Sequence, residues 1–206
     1  MKILAIGAHP DDIEYGCGGT LLISKLKKYK IHLLVLTKGE SGGNPNIREK
    51  EQKASAKLLN AKLHWGNLID TQVVLNKELI DIIESCIKDV SPDLIFTPYY
   101  NDTHQDHRNI STATITATRH LRNVLFYEVP TSTNFTPNVY VDIGNVLKYK
   151  LKLLRMHKSQ VFKTKVPGLN ILENAKSTAI FRGFQDRVKY AEGFLPLRLS
   201  LLKFKI

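Results

Sequence analysis

The chain has 206 residues, of which 43% are hydrophobic and 24% are charged, and its net charge is +11. No apolar run reaches the roughly 18 residues that a membrane-spanning helix needs, and the amino terminus lacks the pattern of a secretory leader. The two cysteines, Cys17 and Cys86, have no CxxC partner, which argues against a disulfide framework and a thiolate zinc site. We therefore expect one cytoplasmic domain over residues 1–206.

Short apolar runs alternate with helical patterns along the chain. Strands are predicted at 2–8, 31–37, 62–65, 93–100, 123–129 and 138–143. Helices are predicted at 18–29, 47–61, 76–89, from about 109 to 120, 144–158, 175–182 and 185–192. This alternation predicts an α/β fold with a mostly parallel sheet and helices on both faces.

Two polar clusters directly follow predicted strands. The segment AHPDD (8–12) comes after the first strand, and NDTHQDH (101–107) comes after the strand at 93–100. Because open sheets of this kind bind ligands beyond the carboxyl ends of their strands, we expect the two clusters to share one rim of the sheet.

The residue types in these clusters favour a divalent metal. His9 and Asp12 lie three apart on a tight turn and can point at one ion, and the second cluster offers His104, Asp106 and His107. Two histidines and one carboxylate form a facial ligand set that leaves a position for water. The spacing alone leaves open which histidine of the second cluster is the ligand.

The remaining polar groups suit hydrolysis of an acyl bond. Asp11 adjoins Asp12 and can take a proton from metal-bound water. His104 can face the substrate oxygen, and Asp106 can hold His104 in one tautomer and favour its charged form. Together they predict a base, an activated water and a cationic group for a developing oxyanion.

The same segments allow other interpretations. Alone, HPDD fits a helix N-terminus, where Asp and Pro are common. A dinucleotide-binding loop at GCGG is disfavoured, because Asp11 and Asp12 stand where glycines are needed and would repel a pyrophosphate. The glycines Gly16, Gly18 and Gly19 are expected to permit a tight turn and close helix packing. A two-histidine, one-carboxylate set also suits ferrous iron in an oxygenase, but the jelly-roll strand pattern is missing.

The basic charge leaves a third class of function open. It recurs in KLKKYK (25–30) and KYKLKLLRMHK (148–158), and it suits either solvated helix faces or an anionic partner. No aromatic RNA-binding signature accompanies it, so no nucleic-acid partner is expected. A non-catalytic module that binds an anionic glycan or nucleic acid remains an alternative to the enzyme. Four histidines outside the clusters are expected at the surface or in strands: His32, His64, His120 and His157.

The pair AHPDD and HQDH resembles the LmbE-like (PIG-L) N-acetylglucosaminyl deacetylase family. Further segments that look like the family are GGTL (18–21), IREKEQKASAKLLNA (47–61), FYEVP (126–130), SQ (159–160) and YAEGF (190–194). The resemblance implies a Rossmann-like α/β fold and zinc-dependent removal of acetyl from N-acetylated amino sugars or related amides. It implies a small amino-sugar substrate, and members of the family are often oligomeric. The basic charge of the chain allows that substrate to be anionic.

The family pattern also assigns roles to individual residues. It implies metal ligands His9, Asp12 and His107; a general base, Asp11; an oxyanion-stabilising group, His104, supported by Asp106; and a substrate-contacting Arg48. The ligand set accepts zinc or ferrous iron. The chain departs from the pattern at Ile13 and Glu14, where the family often has Glu directly after HPDD. It also has Asp102 where some members have tyrosine.

Overall fold

The computed structural model describes residues 1–200; residues 201–206, the end of the predicted domain, lie outside the described residues. The strands are β1 (Lys2–Gly7), β2 (Lys30–Thr37), β3 (Lys62–Leu68), β4 (Leu94–Pro98), β5 (Val124–Tyr127), β6 (Val139–Asp142) and β7 (Ala191–Arg198). The α-helices are α1 (Asp12–Leu26), α2 (Pro45–Leu59), α3 (Lys77–Val90), α4 (Gln105–Ala117), α5 (Leu147–Met156) and α6 (Ile171–Asp186).

The strands form one sheet in the order β3-β2-β1-β4-β5-β7-β6. The pairings of β1 with β2 and β4, of β2 with β3, and of β4 with β5 are parallel, and β7 runs antiparallel to both of its neighbours. The predicted mostly parallel α/β sheet is therefore confirmed. The chain leaves β1 in one direction to form β2 and β3 and returns on the other side as β4. The switch point of the sheet, where such folds bind ligands, lies between β1 and β4.

Helices cover both faces, as predicted, and alternate side chains of β1 enter two separate cores. Ile3 and Ala5 pack into the core under α1, α2, α5 and α6. Leu4 and Ile6 pack into the core under α3 and α4. Because β1 is buried on both faces, its sequence is a continuous apolar run rather than an alternating one. No helix among residues 1–200 has the length and apolarity needed to cross a membrane.

The first helix begins at Asp12, six residues earlier than the predicted start. The glycines that were expected in a tight turn are therefore inside α1, and the turn prediction is wrong. The glycines were also expected to permit close helix packing, and this is observed at Gly16, where a Cβ atom would lie 2.0 Å from the ring of Tyr127 on β5. The helix can pack this close to the sheet because the residue has no side chain.

Of the two helices predicted near the carboxyl terminus, the one at 175–182 is confirmed and the one at 185–192 is wrong. Residues 171–186 form one helix, which begins in a capping box between Asn170 and Glu173 and ends at Arg187 in the left-handed conformation. The predicted helix at 185–192 is absent, and residues 191–198 are instead the strand β7. This strand is stabilised on both sides by β5 and β6, a long-range pairing that overrides local preference.

Candidate active site

The end of β1 folds back on itself around the carboxylate of Asp12. One oxygen of this group, Oδ2, accepts hydrogen bonds from the backbone N–H groups of Ala8 (3.0 Å) and His9 (2.8 Å). The preceding residue, Asp11, caps α1 with a φ of 99°, a left-handed conformation that is strained for a residue with a Cβ atom. The HPDD turn thus holds Asp12 next to the ring of His9.

The second polar cluster lies across the start of α4. His104 caps this helix, and its Nδ1 accepts the backbone N–H of Asp106 at 3.2 Å. Asp102 in turn accepts the backbone N–H of His104 at 2.8 Å. His107 is in the first turn of the helix, so the segment predicted as a loop at 101–109 is partly helical.

Three donor atoms from the two clusters converge at the switch point of the sheet. They are Nδ1 of His9, Oδ2 of Asp12 and Nε2 of His107, here called the donor triad. The two nitrogens lie 3.2 Å apart, and the Asp12 oxygen lies 3.4 Å from that of His9 and 3.2 Å from that of His107. All three side chains are at least nine-tenths buried.

The outer nitrogens of both imidazole rings face carboxylates. Nε2 of His9 lies 2.9 Å from Asp70 and 3.3 Å from Asp106, and Nδ1 of His107 lies 3.2 Å from Asp102. Because a carboxylate only accepts, each neutral ring carries its proton on the outer nitrogen. The inner nitrogens then present lone pairs to one another and to Asp12, as in metal sites whose histidines are oriented by carboxylates.

The electrostatics of the triad favour a positive charge at its centre. Burial lowers the pKa of His107, but the carboxylates of Asp12 and Asp102 outweigh this effect and raise the pKa to about 9. His9 behaves alike: burial opposes its charged form, yet hydrogen bonds to Asp106 and Asp12 leave its pKa well above the usual value. Burial raises the pKa of Asp12, but His107 and His9 hold it well below the usual range.

The triad fits a tetrahedral metal ion such as zinc. Zinc bonds to nitrogen and oxygen of about 2.0–2.2 Å place two ligands about 3.3–3.5 Å apart in a tetrahedron. The observed separations of 3.2–3.4 Å match that spacing before any rearrangement. Three protein ligands leave a fourth position for water or substrate, as a catalytic site requires.

A second group of side chains comes equally close together. Ligand atoms of His9, Asp70, His104 and Asp106 lie within 4.8 Å of one another. In this group the N–H of His9 already lies between two carboxylate oxygens, and Nδ1 of His104 already accepts a backbone N–H. We therefore regard the donor triad as the better metal site and this group as its hydrogen-bonded support.

Asp11 lies next to the triad with its side chain 26% exposed. Burial of the rest raises the pKa of its carboxyl to about 6, against the opposing charges of Arg48 and His157. A raised value of this kind suits a group that must accept a proton near neutral pH. Asp11 directly precedes Asp12 of the triad, and its role as the base stays a prediction.

His104 is half-buried, and its ring centroid lies 4.7 Å from that of His9. Burial and the charges of His9 and His107 lower its pKa. The predicted support from Asp106 takes a different form, because the carboxylate of Asp106 contacts His9 and the backbone N–H of Thr71 instead. His104 is held by the backbone of Asp106, which favours a neutral ring with its proton on Nε2 rather than the predicted charged form.

Arg48 is almost fully buried beside the HPDD turn. Its Nη1 donates to the carbonyl of Gly39 (2.7 Å), and its Nη2 donates to that of Pro10 (2.8 Å). A Cβ atom on Gly39 would lie 1.9 Å from Nη1, and φ there is +67°, so only glycine fits. Arg48 connects the loop after β2 to the HPDD turn, and its predicted contact with substrate stays a prediction.

Sequence reasoning missed two of the carboxylates around the triad. Asp70 follows β3, is 4% exposed, and holds both His9 and the backbone N–H of Ser41 (2.9 Å). Asp102 was noted only as a departure from the family pattern, yet it contacts His107. The available signal was position, since both residues follow the carboxyl ends of strands at the same rim.

Comparison with known families and proteins gives consistent matches. Residues 4–118 match the model of the family described as PIG-L: GlcNAc-PI de-N-acetylase. A protein of Escherichia coli named Uncharacterized deacetylase YaiS is 36% identical over 168 residues, which cover 76% of this chain and 90% of the relative. Diacetylchitobiose deacetylase of Thermococcus kodakarensis is 28% identical, and the match covers 95% of this chain and 83% of that protein.

The fold has a similar counterpart among solved structures. N,N'-diacetylchitobiose deacetylase from Pyrococcus horikoshii, solved with an inhibitor, superimposes with a TM-score of 0.83 at 25% identity. The match covers 95% of this chain and 83% of that one. The overall fold thus belongs to a known architecture.

Proposed function

This chain belongs to the PIG-L (LmbE-like) family, and we propose on that premise that it is a metal-dependent deacetylase of an N-acetylglucosamine-type sugar conjugate. The observation that carries the proposal is the donor triad, in which three ligand atoms converge directly after a second carboxylate, Asp11, whose Oδ1 lies 3.8 Å from Nη2 of Arg48. The names of two relatives support the acetylated amino sugar as the substrate class. The proposed metal is zinc, and ferrous iron suits the same ligands.

His9, Asp12 and His107 would hold the metal. A metal bound there supplies a Lewis acid for the acetamide carbonyl and lowers the pKa of a water molecule. Asp11 accepts a proton from the attacking water, and its raised pKa keeps that proton available for the departing amine. The overall change is that water cleaves the amide C–N bond and gives acetate and a free amine.

His104 lies beside the triad, with its ring centroid 4.7 Å from that of His9 and 4.9 Å from that of His107. Its Nδ1 is occupied by the backbone N–H of Asp106, so its Nε2 carries the proton and is free to donate. We propose that this N–H stabilises the oxyanion of the tetrahedral intermediate. The neutral ring of His104, held in one orientation, can donate this N–H to the oxyanion. The charged form of His104 that the sequence predicted is not needed.

The wider predictions complete the proposal. We propose one domain over residues 1–206, a cytoplasmic location and a small amino-sugar substrate that can carry a negative charge. No nucleic-acid partner is expected, and a homo-oligomer is implied only by the family resemblance. Hydrolysis of another amide is the alternative within the same chemistry.

Release of free amine from a panel of N-acetylglucosamine conjugates tests the proposal. The panel includes N,N'-diacetylchitobiose, N-acetylglucosaminyl malate and a neutral alkyl glycoside, each given to zinc-loaded protein and to Asp11→Asn. We expect turnover of at least one conjugate by the unmodified protein and a large loss in the variant. A zinc-loaded protein that releases no amine from any conjugate would contradict a sugar deacetylase.

A further inference from the structure

A buried polar layer surrounds the first turn of α1, directly after the HPDD turn, with side chains from α1, α2 and the end of α5. It consists of Glu14, Gln52, Ser55 and His157, here called the first-turn layer, and each of these residues is at most 1% exposed. Glu14 Oε1 accepts hydrogen bonds from the side chains of Gln52 (2.7 Å) and Ser55 (2.6 Å). His157 was expected at the surface or in a strand; that prediction is wrong, because the ring is packed against Glu14.

The layer is continuous with the turn that carries Asp11. Arg48, Gln52 and Ser55 follow a helical spacing of four and three, so they share one face of α2. The first of them bonds the carbonyl of Pro10 within the catalytic turn, and the other two bond Glu14. One polar face of α2 therefore bonds the chain before Asp11, at Pro10, and after it, at Glu14.

The layer is incompletely bonded, which is unusual for groups so deeply buried. Within the described part of the chain, Glu14 Oε2 and both ring nitrogens of His157 have no hydrogen-bond partner. Nε2 of His157 lies 3.6 Å from that Glu14 oxygen, which is a contact between charges rather than a hydrogen bond. Buried polar atoms left in this state call for a role other than stability.

The charges of the layer are paired with one another, and Asp11 is paired with Arg48. Burial lowers the pKa of His157, but the carboxylates of Glu14 and Asp11 outweigh it, and the pKa is raised above the usual value. Nη2 of Arg48, on the same face of α2 as Gln52 and Ser55, lies 3.8 Å from Oδ1 of Asp11. Asp11 also has a strained backbone, with φ at 99°, and such a conformation persists only where its surroundings enforce it.

We propose that His157, supported by Glu14, is a positioning residue that fixes the carboxylate of Asp11 for proton transfer. The proposal rests on the proposed function, because it takes Asp11 as the base of the hydrolysis. Both residues act through the conformation of the HPDD turn rather than on the substrate.

The same helix provides a matched control. Glu192 on β7 accepts the backbone N–H groups of Gly19 and Thr20 (2.8 and 2.7 Å) and pairs with Lys150, so it too is a buried carboxylate fixed to α1. It lies farther along the helix from Asp11 than Glu14 does, and its bonds are saturated. A substitution there perturbs the stability of α1 without reaching the catalytic turn.

The first test compares Glu14→Gln and His157→Leu with Glu192→Gln. We measure kcat, KM, bound zinc and Tm, working well below every Tm. We expect both layer variants to lose at least tenfold in kcat, with KM within threefold and zinc content unchanged. Glu192→Gln is expected to lower Tm while kcat stays within twofold. Unchanged kcat in the layer variants, or a loss in Glu192→Gln that matches theirs, would overturn the proposal.

A structural readout separates this proposal from the proposed function. Crystal structures of the zinc-loaded protein and of Glu14→Gln and His157→Leu show directly where the Asp11 carboxylate lies. We expect it to leave its place in the variants while the donor triad stays fixed. An Asp11 that keeps its position and backbone φ in both variants refutes the positioning role, whether or not any sugar conjugate is deacetylated.

Discussion

The donor triad and the Lys150–Glu192 pair are both clusters of buried ionisable groups attached to α1, yet they are bonded in opposite ways. Both oxygens of Glu192 receive donors, from Gly19, from Thr20 and from the Lys150 ammonium at 2.5 Å. In the triad, two imidazole lone pairs and a carboxylate oxygen face one another at 3.2–3.4 Å.

The difference shows what each cluster is for. A saturated buried pair has its charge neutralised inside the protein and serves packing and orientation. In the triad, the nearby carboxylates raise the pKa values of the two imidazoles, and a metal cation at the centre would displace the protons that these rings hold. Substitutions should therefore separate the two clusters: changes in the triad act on metal and activity, and changes in the pair act on stability.

The largest expected effect follows from removing a ligand. His107→Ala deletes one corner of the triad and leaves two donors, too few for a tight catalytic zinc site. We expect loss of bound zinc and a fall in activity of about a thousandfold or more. Metal analysis after gel filtration, beside an amine-release assay, measures both. Full zinc occupancy in this variant would show that His107 is not a ligand.

Asp11→Asn should remove proton transfer and leave the triad intact. The amide is nearly isosteric with the carboxylate but cannot accept the proton of water, so kcat should fall about 10²–10⁴-fold. Zinc content and KM are expected to stay near those of the unmodified protein. If kcat is retained, Asp11 has no part in the chemistry.

Lys150→Met tests the other side of the comparison. Removing the ammonium leaves Glu192 as a buried carboxylate without its counter-charge, which costs about 3–5 kcal/mol of unfolding free energy. This corresponds to a Tm lower by about 6–20 °C in a chain of this size. At a temperature where the variant is folded, zinc affinity and kcat should be unchanged. A loss of zinc would mean that the two clusters are not independent.

Asp102→Asn should have the smallest effect, because it alters the orientation of a ligand rather than the ligand itself. Asp102 contacts the outer nitrogen of His107, and replacing such a partner weakens metal binding about 10–100-fold. Competition with a chelator of known affinity measures the change. Gln105→Ala, at an exposed neighbouring position, serves as the control and should bind zinc normally.

Much of the fold was predictable from local pattern. The double burial of β1 gives a continuous apolar run, and strand–helix alternation then predicts parallel pairing and a common rim for HPDD and HQDH. The strand at 191–198 was not predictable in this way, because its stabilisation comes from pairing with β5 and β6. The start of α1 was misplaced because glycines that allow close packing resemble glycines of a turn.

The sequence predicted which side chains meet at the rim better than it predicted their bonds. His9, Asp12 and His107 are brought together as expected. Asp70 lies in no motif, and only the sheet order brings the end of β3 to His9. The burial of His157 was likewise invisible, since it depends on the packing of the segment after α5 against Glu14.

The central claim is that the donor triad holds the metal, and anomalous diffraction at the zinc edge tests it most directly. Crystals of the zinc-loaded protein should show one strong peak within about 2.0–2.2 Å of His9 Nδ1, Asp12 Oδ2 and His107 Nε2. An empty triad in zinc-loaded crystals, or a peak placed among Asp70, His104 and Asp106 instead, would contradict the account.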